Sequence, residues 1–329
     1  MKRIAINGFG RIGRAALKVI METAELEVVA INDLMTIQNA AYLLQYDSVY
    51  RTYDKEVSFE EGKLKVADKT IPYLSIKDPA QLPWKEHQVD IVIESTGLFT
   101  NREDAEKHLH AGAKHVIISG PTKSLDTPTI VHGVNTEDGR VAIFSCASCT
   151  TNNVSPIIEI IGRRIGIKKA ILSTVHAYTA SQSIVDGPSK KKPRMGRAAA
   201  INLIPASTGA AVATIKALPQ YEGKFDGIAI RTPVVVGSIS DITFIAERAT
   251  TAEEVNNILK EEAATDRYKE VISVTDEPLV STDIIQSTYA AIVDTEMTRV
   301  VDGDLVKILA WYDNEWGFTN QMIRQIKEL

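Results

Sequence analysis

The sequence predicts an α/β protein of two parts, a parallel-sheet domain followed by an α+β domain with a largely antiparallel sheet. Three observations carry that expectation. At 329 residues the chain is longer than one ordinary core accommodates. Its first part alternates short apolar runs with helical periods, as βαβ units do. Its later part strings together longer runs of period-two alternation, the pattern of an antiparallel sheet with one face buried.

The first elements are the most specific. Arg3 to Asn7 reads as a strand running into Gly8-Phe9-Gly10-Arg11-Ile12-Gly13. Ile12, Ala15, Ala16, Val19 and Ile20 then recur at helical spacing, and a second strand, Leu26 to Ile31, ends at Asn32-Asp33. Strand, glycines, helix, strand and acid together form a dinucleotide fingerprint, so the first domain is expected to be of Rossmann type. Gly8 allows the tight turn, Gly10 admits the pyrophosphate to the backbone, and Gly13 lets helix and strand pack closely. Asp33 stands 20 residues after Gly13, where a carboxylate hydrogen-bonds the ribose 2′-OH and disfavours the extra phosphate of NADP. NAD is the expected cofactor.

Beyond the fingerprint, Ile37 to Tyr46 is helical by period, and Val57 to Val66 alternates around Glu61-Gly62 as a hairpin at the sheet edge. Asp90 to Glu94 returns as a buried strand, Arg102 to His110 as a helix, and His115 to Ser119 as the next strand. Ser95, Thr96 and Ser119 fall at strand C-terminal ends, where cofactors bind in open parallel sheets and where hydroxyls also serve plain turns. Val141 to Phe144 is a last short strand that delivers Ser145-Cys146-Ala147-Ser148-Cys149 to the same edge.

The second part begins with a helix that Ser148 and Thr150 are placed to cap. Cys149 at its N-terminus has two readings: a nucleophile whose thiolate the helix terminus favours, or a buried cysteine acting as a small hydrophobe. Ala170 to Thr179 is a strand carrying His176, and a long irregular stretch, Ala180 to Gly196, holds the basic run Lys190 to Arg194. That run is either a solvated face or a subunit contact. Ser207-Thr208-Gly209 opens a helix from Ala210 to Leu218, either as a plain cap or as a phosphate cradle. Strands follow over Gly227 to Val236, Gly237 to Glu247, Ala290 to Val301 and Leu305 to Trp311, with a helix over Thr250 to Thr265. Glu315 to Leu329 is helical, with Phe318, Met322, Ile323 and Ile326 on one side, and is expected to complete the first domain. The expected division is 1–148 with 315–329 as the NAD-binding domain and 149–314 as the catalytic domain.

Charge and cysteine content narrow the function class. A net charge of -5 gives no general attraction to nucleic acid or an anionic membrane, and no run approaches the roughly 20 apolar residues of a membrane span. A cytoplasmic protein is expected. Both cysteines, Cys146 and Cys149, lie in a single Cys-x-x-Cys, which lacks the second pair of a structural zinc site, and no metal is expected. A thiolate needs a nearby base or cation, a need His176 can meet, and Arg231 with Thr179 can clamp an anion.

Five separated stretches bear a resemblance to the phosphorylating glyceraldehyde-3-phosphate dehydrogenases. They are Ile6 to Arg14, Ala147 to Asn152, Thr174 to Thr179, Ser207 to Ala211, and Trp311 to Gly317. The resemblance implies Cys149 as nucleophile and His176 as its activating partner. It implies that Thr179 and Arg231 hold the substrate phosphate, and that Ser148, Thr150, Thr208 and Gly209 hold inorganic phosphate. Asn314 would orient the nicotinamide amide, with Arg11, Ile12, Asp33, Lys77 and Ser119 lining the cofactor. Glyceraldehyde 3-phosphate and phosphate as substrates, and a homotetramer, are implied as well. Ser181 stands where many members carry Asp, and Gly187 where NAD-specific bacterial members often carry Leu, which admits NADP as a second cofactor. Cys146 is read either as a resolving thiol for oxidised Cys149 or as a buried passenger.

Overall fold

The alternation of the first part builds a mostly parallel sheet. The structure is a computed structural model that describes residues 1–135, 141–189 and 192–329; Lys190 and Lys191 of the basic run lie outside the described residues. The chain divides into two compact units, one of Met1–Ile130, Glu137–Ala147 and Met322–Leu329, the other of Val131–Thr136 and Ser148–Gln321.

In the first unit β1 (Lys2–Asn7), α1 (Arg11–Met21) and β2 (Leu26–Asn32) form the expected opening, followed by α2 (Ile37–Gln45) and the small ladder β3 (Tyr46–Asp47) and β4 (Arg51–Thr52). The hairpin β5 (Val57–Glu60) and β6 (Lys63–Val66) turns through Glu61 and Gly62, both at positive φ. It leads into β7 (Lys69–Leu74), a strand absent from the expectation because Pro72 and its charged start mask the period. Next come β8 (Ile91–Glu94), α3 (Arg102–His110), β9 (His115–Ile118) and β10 (Ile143–Ser145). The sheet order is β10-β9-β8-β1-β2-β7-β6-β5. Its six parallel strands have the 3-2-1-4-5-6 order of a dinucleotide-binding sheet, with the hairpin added at one edge. Order reverses at β1 and β8, so the glycine turn after β1 sits at the topological switch point.

The second unit begins with α4 (Cys149–Arg164) and β11 (Ile167–Ala177). It continues through β12 (Ile204–Ser207), α5 (Ala210–Ala217), β13 (Phe225–Thr232), β14 (Ser238–Ala246), α6 (Ala252–Ala263), β15 (Ile272–Thr275), β16 (Ala291–Val301) and β17 (Leu305–Tyr312). The order β12-β13-β11-β14-β17-β16-β15 has antiparallel pairs except at β11–β13 and β15–β16. The two strands not foreseen, β12 and β15, are the edges, four residues each, too short for alternation to register. One face of this sheet is closed by α4, α5 and α6 over Leu172, Ile242, Phe244, Val306 and Ile308, all buried. The other face keeps Ile171, Val175, Ile228 and Leu305 exposed. The last helix, α7 (Trp316–Glu328), buries Phe318, Met322, Ile323 and Ile326, and Lys2 Nζ donates to the carbonyls of Ile326 and Lys327 near its end.

Candidate active site

The start of α4 is built by local chemistry. Ser148 has extended backbone and its Oγ accepts from Thr151 N–H at 3.1 Å, so it is the cap, and Cys149 is the first helical residue. Ala147 just before it has φ 61°, a left-handed conformation unfavourable for alanine, and its N–H donates to Ser145 Oγ at 3.0 Å. Cys149 is half-buried. Its Sγ lies 3.4 Å from His176 Nε2.

His176 projects from the end of β11 on the helix-covered face and is 5% exposed. Its Nδ1 is 2.6 Å from the Ala177 carbonyl oxygen, which can only accept, so Nδ1 carries the proton and Nε2 turns its lone pair to the thiol. Arg231, opposite His176 in the β11–β13 register, donates to the same carbonyl at 3.0 Å. That brings Nη1 within 2.8 Å of Nδ1, a close approach of two donors. The electrostatics follow. Burial, then the Arg231 guanidinium, pushes the His176 imidazole down to about 4. Burial pushes the Cys149 thiol up, while Arg231 and Thr150 oppose that shift. A lone charge on either group is disfavoured, so thiolate and imidazolium form together, by transfer of one proton across the 3.4 Å contact.

Tyr312 is a residue the sequence reading did not single out. It is buried, and its hydroxyl lies 2.9 Å from Thr150 Oγ1 and 2.8 Å from Thr174 Oγ1. Its ring meets the His176 ring edge-on at 6.0 Å. The signal was present: Tyr312 continues the inward series Ile308, Ala310, and a buried phenol needs a partner. Ser238 was missed as well. It accepts from Ala177 N–H at 3.1 Å and donates to Asn314 Oδ1 at 3.0 Å, which holds the amide by its oxygen and fixes which end is the donor.

The expected phosphate ligands divide. Arg231 Nε is buried with no partner, an orphaned donor beside the thiol–imidazole pair. Thr179 Oγ1 and Ser181 Oγ pair at 2.9 Å in the turn after β11. Thr208 Oγ1 accepts from Ala210 N–H at 3.1 Å, and Gly209 is the N-cap of α5 with open space where a Cβ would stand. Ser148 is the helix cap already described, and the Thr150 hydroxyl is turned inward to Tyr312.

In the first unit, a Cβ on Gly13 would lie 2.1 Å from Gly8 O, whereas one on Gly10 would meet nothing within 4 Å. The turn is therefore closed beneath and open above. Helix α1 starts at Gly10 with no side-chain cap, which leaves the position of an anion to its first N–H groups. Asp33 accepts from Phe9 N–H at 2.5 Å and Met35 N–H at 2.8 Å, fixing its carboxylate beside the turn. Arg11 pairs with Asp47 at 2.5 Å and packs over Tyr50, Ile12 and Ser119 are half-buried, and Lys77 is exposed. Thr96 donates through both N–H and hydroxyl to Glu94. Cys146 is buried, its thiol bonds the Ile118 carbonyl at 3.2 Å, and burial pushes it up to about 12, the setting of a passive core thiol.

Two family models match the sequence: "Glyceraldehyde 3-phosphate dehydrogenase, NAD binding domain" over residues 2–102, and "Glyceraldehyde 3-phosphate dehydrogenase, C-terminal domain" over residues 148–314. Among curated relatives, the glyceraldehyde-3-phosphate dehydrogenase of Thermotoga maritima is 48% identical, covering 100% of this chain and 99% of its own. That of Streptomyces coelicolor is 46% identical over 98% of this chain and 96% of its own. The Clostridium pasteurianum protein is 43% identical over 99% and 98%.

Proposed function

The chain belongs to the glyceraldehyde-3-phosphate dehydrogenase family, and from that premise we propose that it oxidises glyceraldehyde 3-phosphate with NAD and inorganic phosphate to 1,3-bisphosphoglycerate. The observation that carries the reading is the Cys149–His176 contact, with the imidazole lone pair aimed at the thiol by the Ala177 carbonyl. Residues 1–148 with 315–329 hold the dinucleotide and 149–314 carry the chemistry. The glycine turn, closed beneath Gly13 and open above Gly10, fits a pyrophosphate, and Asp33 fits a ribose hydroxyl. Gly8, Gly10, Arg11, Ile12, Gly13, Asp33, Lys77, Thr96, Ser119 and Asn314 are assigned to the cofactor.

NAD, when bound, accepts the hydride. The residues of the chain do the rest. Cys149 passes its proton to His176 Nε2, its Sγ adds to the aldehyde carbon as the C=O π pair moves to oxygen, and His176 returns the proton to that oxygen to give a hemithioacetal. His176 then takes the hydroxyl proton as the C–H electron pair departs, leaving a thioester on Cys149. Inorganic phosphate attacks the thioester carbon, the C–S bond breaks, and the acyl phosphate leaves a thiolate beside the imidazolium. Arg231 and Thr179 hold the substrate phosphate, with the unpartnered Arg231 Nε as a donor. Ser148, Thr150, Thr208 and Gly209 supply the second phosphate position, through helix N–H groups where their hydroxyls are engaged elsewhere. The N–H of Cys149, first in α4, is the oxyanion donor.

A cytoplasmic homotetramer is part of this proposal. No helix among the described residues is long and apolar enough to cross a membrane. The open face of the second sheet, with Ile171 56% and Ile228 48% exposed, is apolar surface that a second copy of the chain would cover. Activity is tested by following NADH formation from glyceraldehyde 3-phosphate with and without inorganic phosphate. Cys149→Ser is expected to abolish turnover while NAD binding persists; substantial residual dehydrogenase activity in that variant would remove Cys149 from the role.

A further inference from the structure

A line of polar side chains crosses the interior of the first unit, and none of the chemistry above uses it. Asn7, Asn32 and Glu94 are the last residues of β1, β2 and β8, directly paired in register and all buried. Asn32 Nδ2 donates to Asn7 Oδ1 at 2.7 Å, and Asn7 Nδ2 donates to Glu94 Oε2 at 2.6 Å. Behind Glu94, His108 of α3 places Nε2 3.1 Å from the same oxygen, and Trp84 Nε1 lies 2.9 Å from His108 Nδ1. Trp84 and His108 are both 0% exposed. An indole N–H can only donate, so His108 Nδ1 accepts, and the ring carries its proton on Nε2 and gives it to Glu94. The tautomer is thereby fixed by its neighbours. The other oxygen of Glu94 accepts from Thr96, from the N–H at 2.9 Å and from the hydroxyl. Glu94 thus receives four donors, as many as a carboxylate has acceptor sites, and its orientation is determined.

We propose that His108 is a positioning residue for the cofactor: held by Trp84, it orients Glu94, and Glu94 fixes Thr96 and the turn after β8 against which NAD lies. The inference rests on the assignment of Thr96 to the cofactor. A carboxylate that grips both polar groups of one residue leaves that residue a single orientation. Loss of the His108 proton donor leaves Oε2 with Asn7 as its one donor, so Glu94 can turn about that bond and slacken its hold on Thr96. Asn7 and Asn32 tie the same carboxylate to the strand ends beneath the glycine turn, so the release is confined to the β8 side.

The test is calorimetric titration of the full-length protein with NAD. His108→Leu is expected to weaken NAD about tenfold, the range for one charge-assisted hydrogen bond. Its kcat at saturating NAD, its KM for the aldehyde and the alkylation rate of Cys149 by iodoacetamide are expected to stay within about twofold, a split that general loss of structure would not give. His108→Gln supplies an acceptor and a donor in the same order and is expected to recover most of the affinity. Thr96→Val alone is expected to weaken NAD, and adding His108→Leu to it is expected to cost less than about twofold more. Wild-type affinity in His108→Leu, or an undiminished effect in the Thr96→Val background, overturns the role of His108. Normal NAD binding by Thr96→Val instead overturns the assignment of Thr96, and the route through it falls too. Should His108→Leu fail to fold, Trp84→Phe removes the indole donor along with part of the ring and leaves His108 in place; it is expected to weaken NAD in the same direction, and unchanged affinity in that variant overturns the proposal.

Discussion

Replacing Cys149 by Ser isolates the imidazole from its ionisable neighbour and tests the electrostatics of the pair directly. Without a thiolate, His176 is a buried ring beside Arg231, and its midpoint lies at about 4. With a thiolate at the observed 3.4 Å, the attraction is about 5 kcal/mol at an effective dielectric near 20. Since about 1.4 kcal/mol moves a midpoint by one pH unit, that attraction lifts the imidazole from about 4 toward neutral pH once the thiol is ionised. The assay is NMR titration of labelled histidine in the wild type and in Cys149→Ser. The expected result is a low midpoint in the serine protein, with the wild type lying above it only where Cys149 has already ionised. Stability supplies a second readout. In Cys149→Ser the folded value lies below the unfolded value of about 6.5, so the unfolded chain takes the proton first as pH falls. Stability is then expected to drop by about 3 kcal/mol between roughly pH 6.5 and 4 and to change no further below that on this account. An ordinary midpoint in the serine protein would refute the burial argument.

Other substitutions separate packing from binding. Gly13→Ala drives a Cβ to 2.1 Å from Gly8 O and is expected to destabilise by about 1–3 kcal/mol in denaturant unfolding, with NAD binding impaired. Gly10→Ala meets nothing within 4 Å, so unchanged stability with weakened NAD is expected by the same pair of measurements. Tyr312→Phe strips the partner from two buried hydroxyls, Thr150 and Thr174, and is expected to cost about 1–3 kcal/mol in unfolding and to lower kcat more than it raises KM. Arg231→Ala removes the guanidinium that depresses His176, so its midpoint is expected to rise while KM for the phosphorylated aldehyde rises about tenfold or more in steady-state assays.

Local signals carried most of what could be read in advance. The turn from Gly8 to Gly13 was legible because its strand, glycines and helix are contiguous and Gly13 packs on Gly8 of the same segment, whereas the crowding of Gly8 by Ser95 and Thr96 is non-local. The cap at Ser148 was legible for the same reason, since it bonds an N–H three residues ahead. Edge strands β12 and β15 were not, because four residues at a sheet margin show neither alternation nor a buried run.

The relation among site residues lies in non-local pairing, and there side-chain reading stops short. Cys149 and His176 were each identifiable, but what aligns them is the backbone of Ala177, a residue without functional chemistry of its own. Its carbonyl gathers both His176 Nδ1 and Arg231 Nη1, and its N–H passes through Ser238 to Asn314. The imidazole lone pair, the Arg231 guanidinium and the amide of Asn314 therefore all depend on one residue at the end of β11. A shift of that strand against β13 or β14 would misplace all three at once, which is why the long pairings of β11 on both sides matter to the chemistry and not only to stability. A side-chain motif could not disclose this, because the residue at the junction contributes only the N–H and C=O that every position has.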